Sequence, residues 1–564
     1  MLSLVVLGLA VAYSVWSFVC LEANVRKARS LGLPVVRLPI DANNVFWILL
    51  QPHVWNILDR LPFSWRSYPR FVRYARRGWY FDERADAHVH LGPTWALVSP
   101  VCINVHVAEP DAIQDIVTRR GDFQRPTAEL KILELYGPCI STAKWSDWPR
   151  HRKPMATPFN ETIMGSVWDE SLRQAQNMLQ SWMKFSEAGI PSYQQDTRTL
   201  SLNVLTGAGF GKPYDFRGST EPVVDEIGEY RDSLQTVLDN IILLLIVPFR
   251  VLTMMPGRWA RIGNAGISFK QHMVKMLEDE TAALSQGRNG SGGILSGFVR
   301  AADLYHHESA ANPDFKGGKK GLSPDEIYGN LFVINFAGHD TTANTLAFAT
   351  LLLAAHPDVQ LWLAVEIKAV TKDRPFEEWD YKELYPRLNR CRAVIYETLR
   401  LYPPVPALIS ITRDHTQKLQ VSDKSYSIPV GINFTANLRA MQTHPQYWPA
   451  ANEWRPSRWV LNSTLASSPS EQITHESFFV PSKNIFFPWG EGPQICPGRR
   501  FAEVEAVAVL ACLFKAHRLR VKKITGESDE AAHKRFEKCV NDVDLEMLVR
   551  LRDADQITVI CGEA

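Results

Sequence analysis

Between Ser323 and His356 the chain carries one unbroken helical pattern, and a helix that long limits what can be built around it. Ser323 can cap the first backbone amides, Pro324 suits the first helical position and Glu326 completes a capping box. Asp325 and Glu326 also favour the positive end of the helix dipole. Apolar residues then continue to His356, where Pro357 stops the helix. About 33 residues at 1.5 Å per residue make a rod roughly 50 Å long. So long and apolar a helix must run through the middle of a protein. Its centre breaks its own pattern at Ala337-Gly338-His339-Asp340-Thr341-Thr342. Glycine costs about 1 kcal/mol there relative to alanine, and aspartate with two β-branched threonines adds to the cost. A gap in the backbone hydrogen bonding, a close ligand or a proton-handling pair would each explain the break. So would a satisfied polar kink.

A second helix is predicted over residues 388–401, ending at Tyr402-Pro403-Pro404, with Glu397 and Arg400 on one face. From 417 to 437 the pattern turns short and β-like, with turns at Ser422-Asp423 and 429–431. The last strong helix starts near Gly498. Flexible segments are expected at 286–293, at about 306–321 and at 463–470. None marks a change of composition on the scale of a domain, so residues 41–564 read as one large unit. The sequence is 46% hydrophobic, enough for a large core.

Residues 2–21 contain no charge, about the length of a membrane-crossing helix. A cleaved signal would place its basic residues before the apolar run. Here Arg26, Lys27 and Arg29 follow it, which predicts an uncleaved anchor and a cytoplasmic body. Pro34 and Pro39 predict a stiff hinge over residues 22–40. The run 241–252 is too short and broken to cross a membrane; it reads as a buried helix, a channel wall or a surface dip. With 62 basic and 60 acidic residues the formal charge is +2, which gives no indication of nucleic acid binding. The eight cysteines show no zinc-like spacing, and a cytosolic body predicts free thiols. The sequons at Asn160, Asn289, Asn433 and Asn462 would then stay unused.

One cysteine stands apart. In Phe487-Pro488-Trp489-Gly490-Glu491-Gly492-Pro493-Gln494-Ile495-Cys496-Pro497-Gly498, glycines and prolines fix a sulfur at a bend before a helix. Helix N-termini and metals lower a thiol pKa, so the segment reads as a thiolate site. It resembles the haem loop of the cytochrome P450 family, F-x-x-G-x-R-x-C-x-G. Trp489 stands for the phenylalanine, and Gln494 stands where the family has arginine. The other landmarks follow in order. Residues 337–342 resemble the oxygen-activation motif and Glu397–Arg400 the ExxR. Residues 456–459, with Arg458, resemble the PERF segment, and Trp148 to Arg152 resemble the W-x-x-x-R helix. The resemblance runs from the anchor nearly to the C-terminus.

It implies a mainly α fold with small β-sheets behind one transmembrane helix, and haem b held by Cys496. Trp148 and Arg152 would contact the haem propionates, with Arg413 as a further contact in place of the missing arginine. Asp340 and Thr341 would relay protons, Thr341 at the dioxygen site and Asp340 towards solvent. Glu397, Arg400 and Arg458 would organise the loop behind the haem, and His339 would pack. Electrons would come from an NADPH-dependent reductase docking on Arg150, Lys153, Arg499 and Arg500. The implied reaction is oxidation, mainly hydroxylation, of a lipophilic small molecule such as a fungal secondary metabolite. The body would face the cytoplasm from the endoplasmic reticulum. The pocket would be shaped by residues 127–144, the Ile241 region and 407–411. An oxygen-independent isomerase or dehydratase and a non-catalytic haem carrier are the alternatives; Asp340 and Thr341 argue against both.

Overall fold

The computed structural model describes residues 2–221, 226–288, 290, 293–311, 320–372, 374–461, 473, 476–481, 484–545 and 547–564. The sequons at Asn289 and Asn462 and the segments 312–319 and 463–470 lie outside them. Helix α1 (Leu2–Ser30) contains the uncharged run, and its part from Leu7 is long and apolar enough to cross a bilayer. Between Leu7 and Val19 most large side chains point outward, whereas Leu21, Val25 and Ala28 are buried against the sheet. The helix therefore continues into the body and does not stop at Leu21. The hinge expected over 22–40 is instead helix to Ser30 and then strand β1 (Val35–Arg37). Pro34 and Pro39 flank that strand, and nothing in the sequence between Glu22 and Ser30 opposes a helix.

A six-stranded sheet is built from both ends of the chain. Its strands are β1, β2 (Thr94–Val98), β3 (Ile103–Val107), β4 (Phe123–Gln124), β5 (Leu408–Thr412) and β6 (Asn433–Ala436), in the order β1-β2-β3-β6-β5-β4. The β1–β2 and β3–β6 pairs are parallel and the others antiparallel. The predicted β-like region also supplies a hairpin, Gln417–Val421 with Lys424–Ile428, which turns at Ser422.

Ten further helices position the site: α2 (Val45–Leu58), α3 (Pro110–Thr118), α4 (Trp148–Ala156), α5 (Glu161–Met183), α6 (Tyr193–Val204), α7 (Ile241–Ile246), α8 (Phe249–Thr253), α9 (Pro324–Ala355), α10 (Asn389–Leu401) and α11 (Arg499–Phe514). Helix α9 is the predicted long rod. Ser323 and Glu326 form its capping box, with Ser323 N donating to the Glu326 carboxylate at 2.8 Å. It crosses the core against α6, α10 and α11, while α11 lies along α5. The run 241–252 forms two short helices, α7 and α8. Ile241, Leu244 and Leu252 face inward, while Ile242, Leu245, Ile246 and Val251 face outward. All eight cysteines are free.

Candidate active site

The loop before α11 is shaped by its glycines. Gly490 and Gly492 have φ of +71° and +72°, the left-handed region that favours glycine. A Cβ on Gly492 would lie 2.6 Å from the carbonyl oxygen of Val117, so the loop rests directly on the backbone of α3. Ile495 N donates to Gly492 O (3.1 Å) and Cys496 N to Trp489 O (2.9 Å), closing the turn. The sulfur then faces the backbone amides of Gly498 and Arg499. Burial pushes the Cys496 thiol up, and these amides, with the guanidiniums of Arg152 and Arg499, pull it only part of the way back. The helix N-terminus therefore does not make a thiolate unaided. A coordinated metal deprotonates such a thiol outright. Cys496 is solvent-accessible although protein surrounds it, as a thiol lining an internal cavity is.

Helix α9 opens a face in the same way. From Asn330 to Ala354 every residue is buried except Ala337, Gly338 and Thr341, which share one side of the helix. Thr341 Oγ1 donates to Ala337 O at 2.9 Å. Asp340 is buried away from that face and accepts from Arg198 Nε of α6 at 3.1 Å. His339 is buried, bonded to the Asn335 carbonyl and held in its neutral form by burial. The helix is continuous through this stretch, which removes a backbone gap as the explanation. Gly338 has a packing reason, since its Cβ would stand 3.1 Å from the Leu205 side chain just beyond α6. What remains is the polar pair: Thr341 on the open face and Asp340 behind it.

A cationic corner lies beside the thiol. Trp148 opens α4, buried, with its Nε1–H unpartnered. The Arg152 guanidinium lies 5.8 Å from the Trp148 ring centre. Burial lowers the Arg152 pKa, and Cys496 is the group that opposes the shift. Arg125, just after β4, is pushed down to about 10 by burial, with Arg152 among the charges acting on it. Its one described hydrogen bond is a 3.4 Å contact to Ile140 O. Neither arginine has a carboxylate partner among the described residues. Two desolvated cations beside an orphaned indole N–H suit a ligand with two carboxylates, as a porphyrin has. Gln494 lies in the loop with its Oε1 buried and unpartnered. Arg413 follows β5, half-buried, and is not among the charges acting on Arg125, Arg152 or Cys496. Sequence reasoning missed Arg125; its only local signal is Arg-Pro after a very short strand.

Behind the loop, Glu397 of α10 accepts five N–H groups. These are Arg400 Nε and Nη2 (both 2.8 Å), Arg458 Nε (2.9 Å), Trp459 Nε1 (2.9 Å) and the Arg455 amide (2.8 Å). Burial alone would raise its pKa, but these cations and donors hold it below the usual carboxylate value. Arg400 also binds the carbonyls of Gln442 (2.8 Å) and Ala451 (2.6 Å). Gln442 ties this network to the cysteine loop, donating to Arg400 O (3.1 Å) and accepting from Phe487 N (3.3 Å).

The expected docking cations divide. Lys153 is exposed. Arg499 and Arg500 are half-exposed over Trp489 and Tyr385. Arg150 is not available: its guanidinium is bound inside by Asp147 (2.7 Å), Glu326 (2.5 Å) and the Gly321 carbonyl (2.6 Å). The sequence showed a basic cluster but not which member the start of α9 would claim.

A family model described as cytochrome P450 matches residues 72–537. The chain is 28% identical to a cytochrome P450 monooxygenase of Arthrobotrys oligospora, over 91% of each chain. It is 26% identical to one of Penicillium roqueforti, over 92% of this chain and 91% of that one. It is 27% identical, over 90% of each chain, to a phomenoic acid biosynthesis cluster cytochrome P450 monooxygenase of Leptosphaeria maculans. A crystal structure of a cytochrome P450 superposes with a TM-score of 0.63 at 19% identity, covering 86% of this chain and 97% of that one, a likeness of fold.

Proposed function

The chain belongs to the cytochrome P450 family, the haem-thiolate monooxygenases, and on that premise we propose that Cys496 is the thiolate ligand of a haem b. The substrate in this reading is a lipophilic small molecule, hydroxylated with dioxygen and with electrons from an NADPH-dependent reductase. One observation carries it: Cys496, just before α11, is accessible although protein surrounds it, and in neighbouring α9 the buried stretch 330–354 leaves Ala337, Gly338 and Thr341 accessible.

A haem-thiolate supplies oxygen activation, because the sulfur favours O–O cleavage. The chain's residues do the rest. Arg125, Arg152 and the Trp148 indole would hold the propionates. Thr341 presents its hydroxyl to the cavity. Asp340, held by Arg198, carries protons between solvent and that hydroxyl; Arg198 is itself partly exposed, with 18% of its side chain accessible. Glu397, Arg400 and Arg458 keep the loop rigid through Gln442. The half-exposed Arg499 and Arg500, with Lys153, offer the reductase a basic face. Arg26, Lys27 and Arg29 at the base of the anchor support a body on the cytoplasmic side of the endoplasmic reticulum. The relative in a phomenoic acid cluster supports a secondary metabolite as substrate.

Retention of Asp340 and Thr341 favours this reading over an isomerase, which needs no proton delivery to oxygen. Product formation should require both NADPH with reductase and dioxygen. Conversion that continues without dioxygen would instead support the isomerase. Asp340→Asn should lower kcat about 100-fold, within the usual range for a lost proton-transfer group, with an enlarged solvent isotope effect. An unchanged kcat would remove Asp340 from the relay.

A further inference from the structure

Arg400 and Arg439 are the most deeply buried arginines among the described residues, at 0% and 1% exposure. Arg400 meets the Glu397 carboxylate through two N–H groups. Arg439, in the short helix Leu438–Gln442 after β6, meets no carboxylate among the described residues. Its Nε donates to Phe81 O (3.0 Å), its guanidinium carbon stands 3.5 Å from the centre of the Phe81 ring, and its Nη1 has no hydrogen-bond partner. A ring face offsets part of a cation's desolvation. It leaves the free N–H unsatisfied, and an arginine does not escape by losing its proton. A methionine would fill the place without that cost.

Arg439 lines a cleft of about 1350 Å³ between α2, the short helix Trp79–Glu83 and the segments 443–452 and 541–545. Arg84 lines it too. That residue ends the short helix with φ of +51° and ψ of −126°, a conformation unfavourable for any side chain with a Cβ. Its guanidinium donates to Asn452 Oδ1 (2.9 Å) and Asn541 Oδ1 (3.1 Å), both neutral acceptors. Three further arginines of the cleft are matched, Arg66 by Asp86, Arg76 by Asp59 and Arg552 by Asp542. Of the charges acting on Arg439, Arg84 and Arg400 oppose it and Asp82 favours it. Arg400 is neutralised by Glu397, so Arg84, Arg439 and Asp82 leave one positive charge over. Trp55, Phe81 and Leu545 give the same cleft an apolar wall. Cys496, Thr341, Trp148 and Arg152 do not line it.

We propose that this cleft is a second ligand site, separate from the haem cavity, and that it binds a monocarboxylate with an apolar body. The carboxylate takes the two unmatched guanidiniums, whose planar N–H pairs suit its two oxygens. The apolar body lies against Trp55, Phe81 and Leu545.

The full-length holoenzyme is photolysed with para-benzoylbenzoate, an apolar photoreactive monocarboxylate, or with the uncharged para-benzoylbenzamide, and the labelled peptides are mapped by mass spectrometry. Benzoate label is expected on 79–85 and 541–545. Benzamide label there should be about tenfold weaker, the effect of losing one charge-assisted hydrogen bond. Arg439→Met and Arg84→Gly should each lower the benzoate label by about the same factor. Glycine accepts the backbone conformation at 84, so this second variant keeps its fold; the reduced, carbon-monoxide-bound spectrum checks both. Equal labelling by the two probes would overturn the proposal, since the cleft would then be apolar without recognising charge. Full benzoate labelling in either folded variant would overturn it as well, and so would label absent from 79–85 and 541–545 in the wild type.

Discussion

Arg125 and Arg152 are partly buried neighbours with no carboxylate partner among the described residues, a pairing that calls for an anionic ligand. A buried cation with no partner is strongly unfavourable, and here two are neighbours. Charge-assisted hydrogen bonds are worth about 1.5–3 kcal/mol each, so Arg125→Ala and Arg152→Ala should each weaken haem retention at least about tenfold. Arg413→Ala should leave it unchanged, and Gln494→Arg should hold haem at least as well as the wild type. Haem transfer to excess apomyoglobin measures all four, and normal retention in Arg125→Ala would contradict the clamp. Cys496 and Arg152 were legible in the sequence because each sits in a short motif with its own geometry. Arg125 was not, because nothing local shows that it meets Arg152. Arg413 follows a strand, where one residue of register decides which way a side chain faces, so its place relative to the haem is not legible locally. Arg150 carries a further residue-scale consequence. Burial raises the Glu326 pKa, but hydrogen bonds from Arg150 and the Ser323 amide outweigh it and hold the carboxyl at about 2. A depressed carboxylate contributes stability above its unfolded value near 4.5, and that stability is lost as pH falls towards 2. Arg150→Met should therefore destabilise the protein by about 3 kcal/mol at neutral pH and flatten the acid limb of a stability–pH curve between those values. An acid limb unchanged in the variant would refute the assignment.

At the scale of elements, α9 shows both what a sequence announces and what it withholds. Its ends were legible, since the Ser323–Glu326 box and Pro357 act locally. Its interior was not, because Gly329 and Gly338 look alike in sequence but meet different neighbours. A Cβ on Gly329 would lie 2.2 Å from Gly137 O and 2.4 Å from Pro138 O, rigid backbone that cannot yield. On Gly338 it would meet the tip of Leu205, which can. Gly329→Ala should cost about 2–3 kcal/mol by overpacking. Gly338→Ala should be within about 1 kcal/mol of wild type, because the gain in helix propensity offsets the contact. Denaturant unfolding of the two holoproteins tests the order, and equal losses would show that both glycines serve the same role. The run after the anchor failed differently: Pro34 and Pro39 were read as a hinge, yet prolines flanking a three-residue edge strand are equally compatible with order.

For the whole molecule, the main constraint is that strands from residues 35–124 and 408–436 share one sheet, which brings α4 and its Trp148–Arg152 corner to a loop more than three hundred residues later. No periodicity reports such a pairing; only the ordered series of motifs did so, through family resemblance. The proposed basic face is also a property of the assembled molecule, and Arg150, bound inside by Asp147 and Glu326, is not available to it. Arg499→Glu/Arg500→Glu should slow reductase-driven reduction at least tenfold at low salt, with the difference shrinking as salt rises, while dithionite reduces both proteins alike. Equal reductase-driven rates at every salt concentration would exclude that face. All of this depends on one claim, that the fold delivers Cys496 to a haem as its thiolate. The most direct test is the absorption spectrum of the reduced, carbon-monoxide-bound protein, recorded for wild type and Cys496→Ser. A haem held by Cys496 should give a thiolate-type Soret band in the wild type that is absent from the variant; a band that survives the substitution would exclude Cys496 as the ligand.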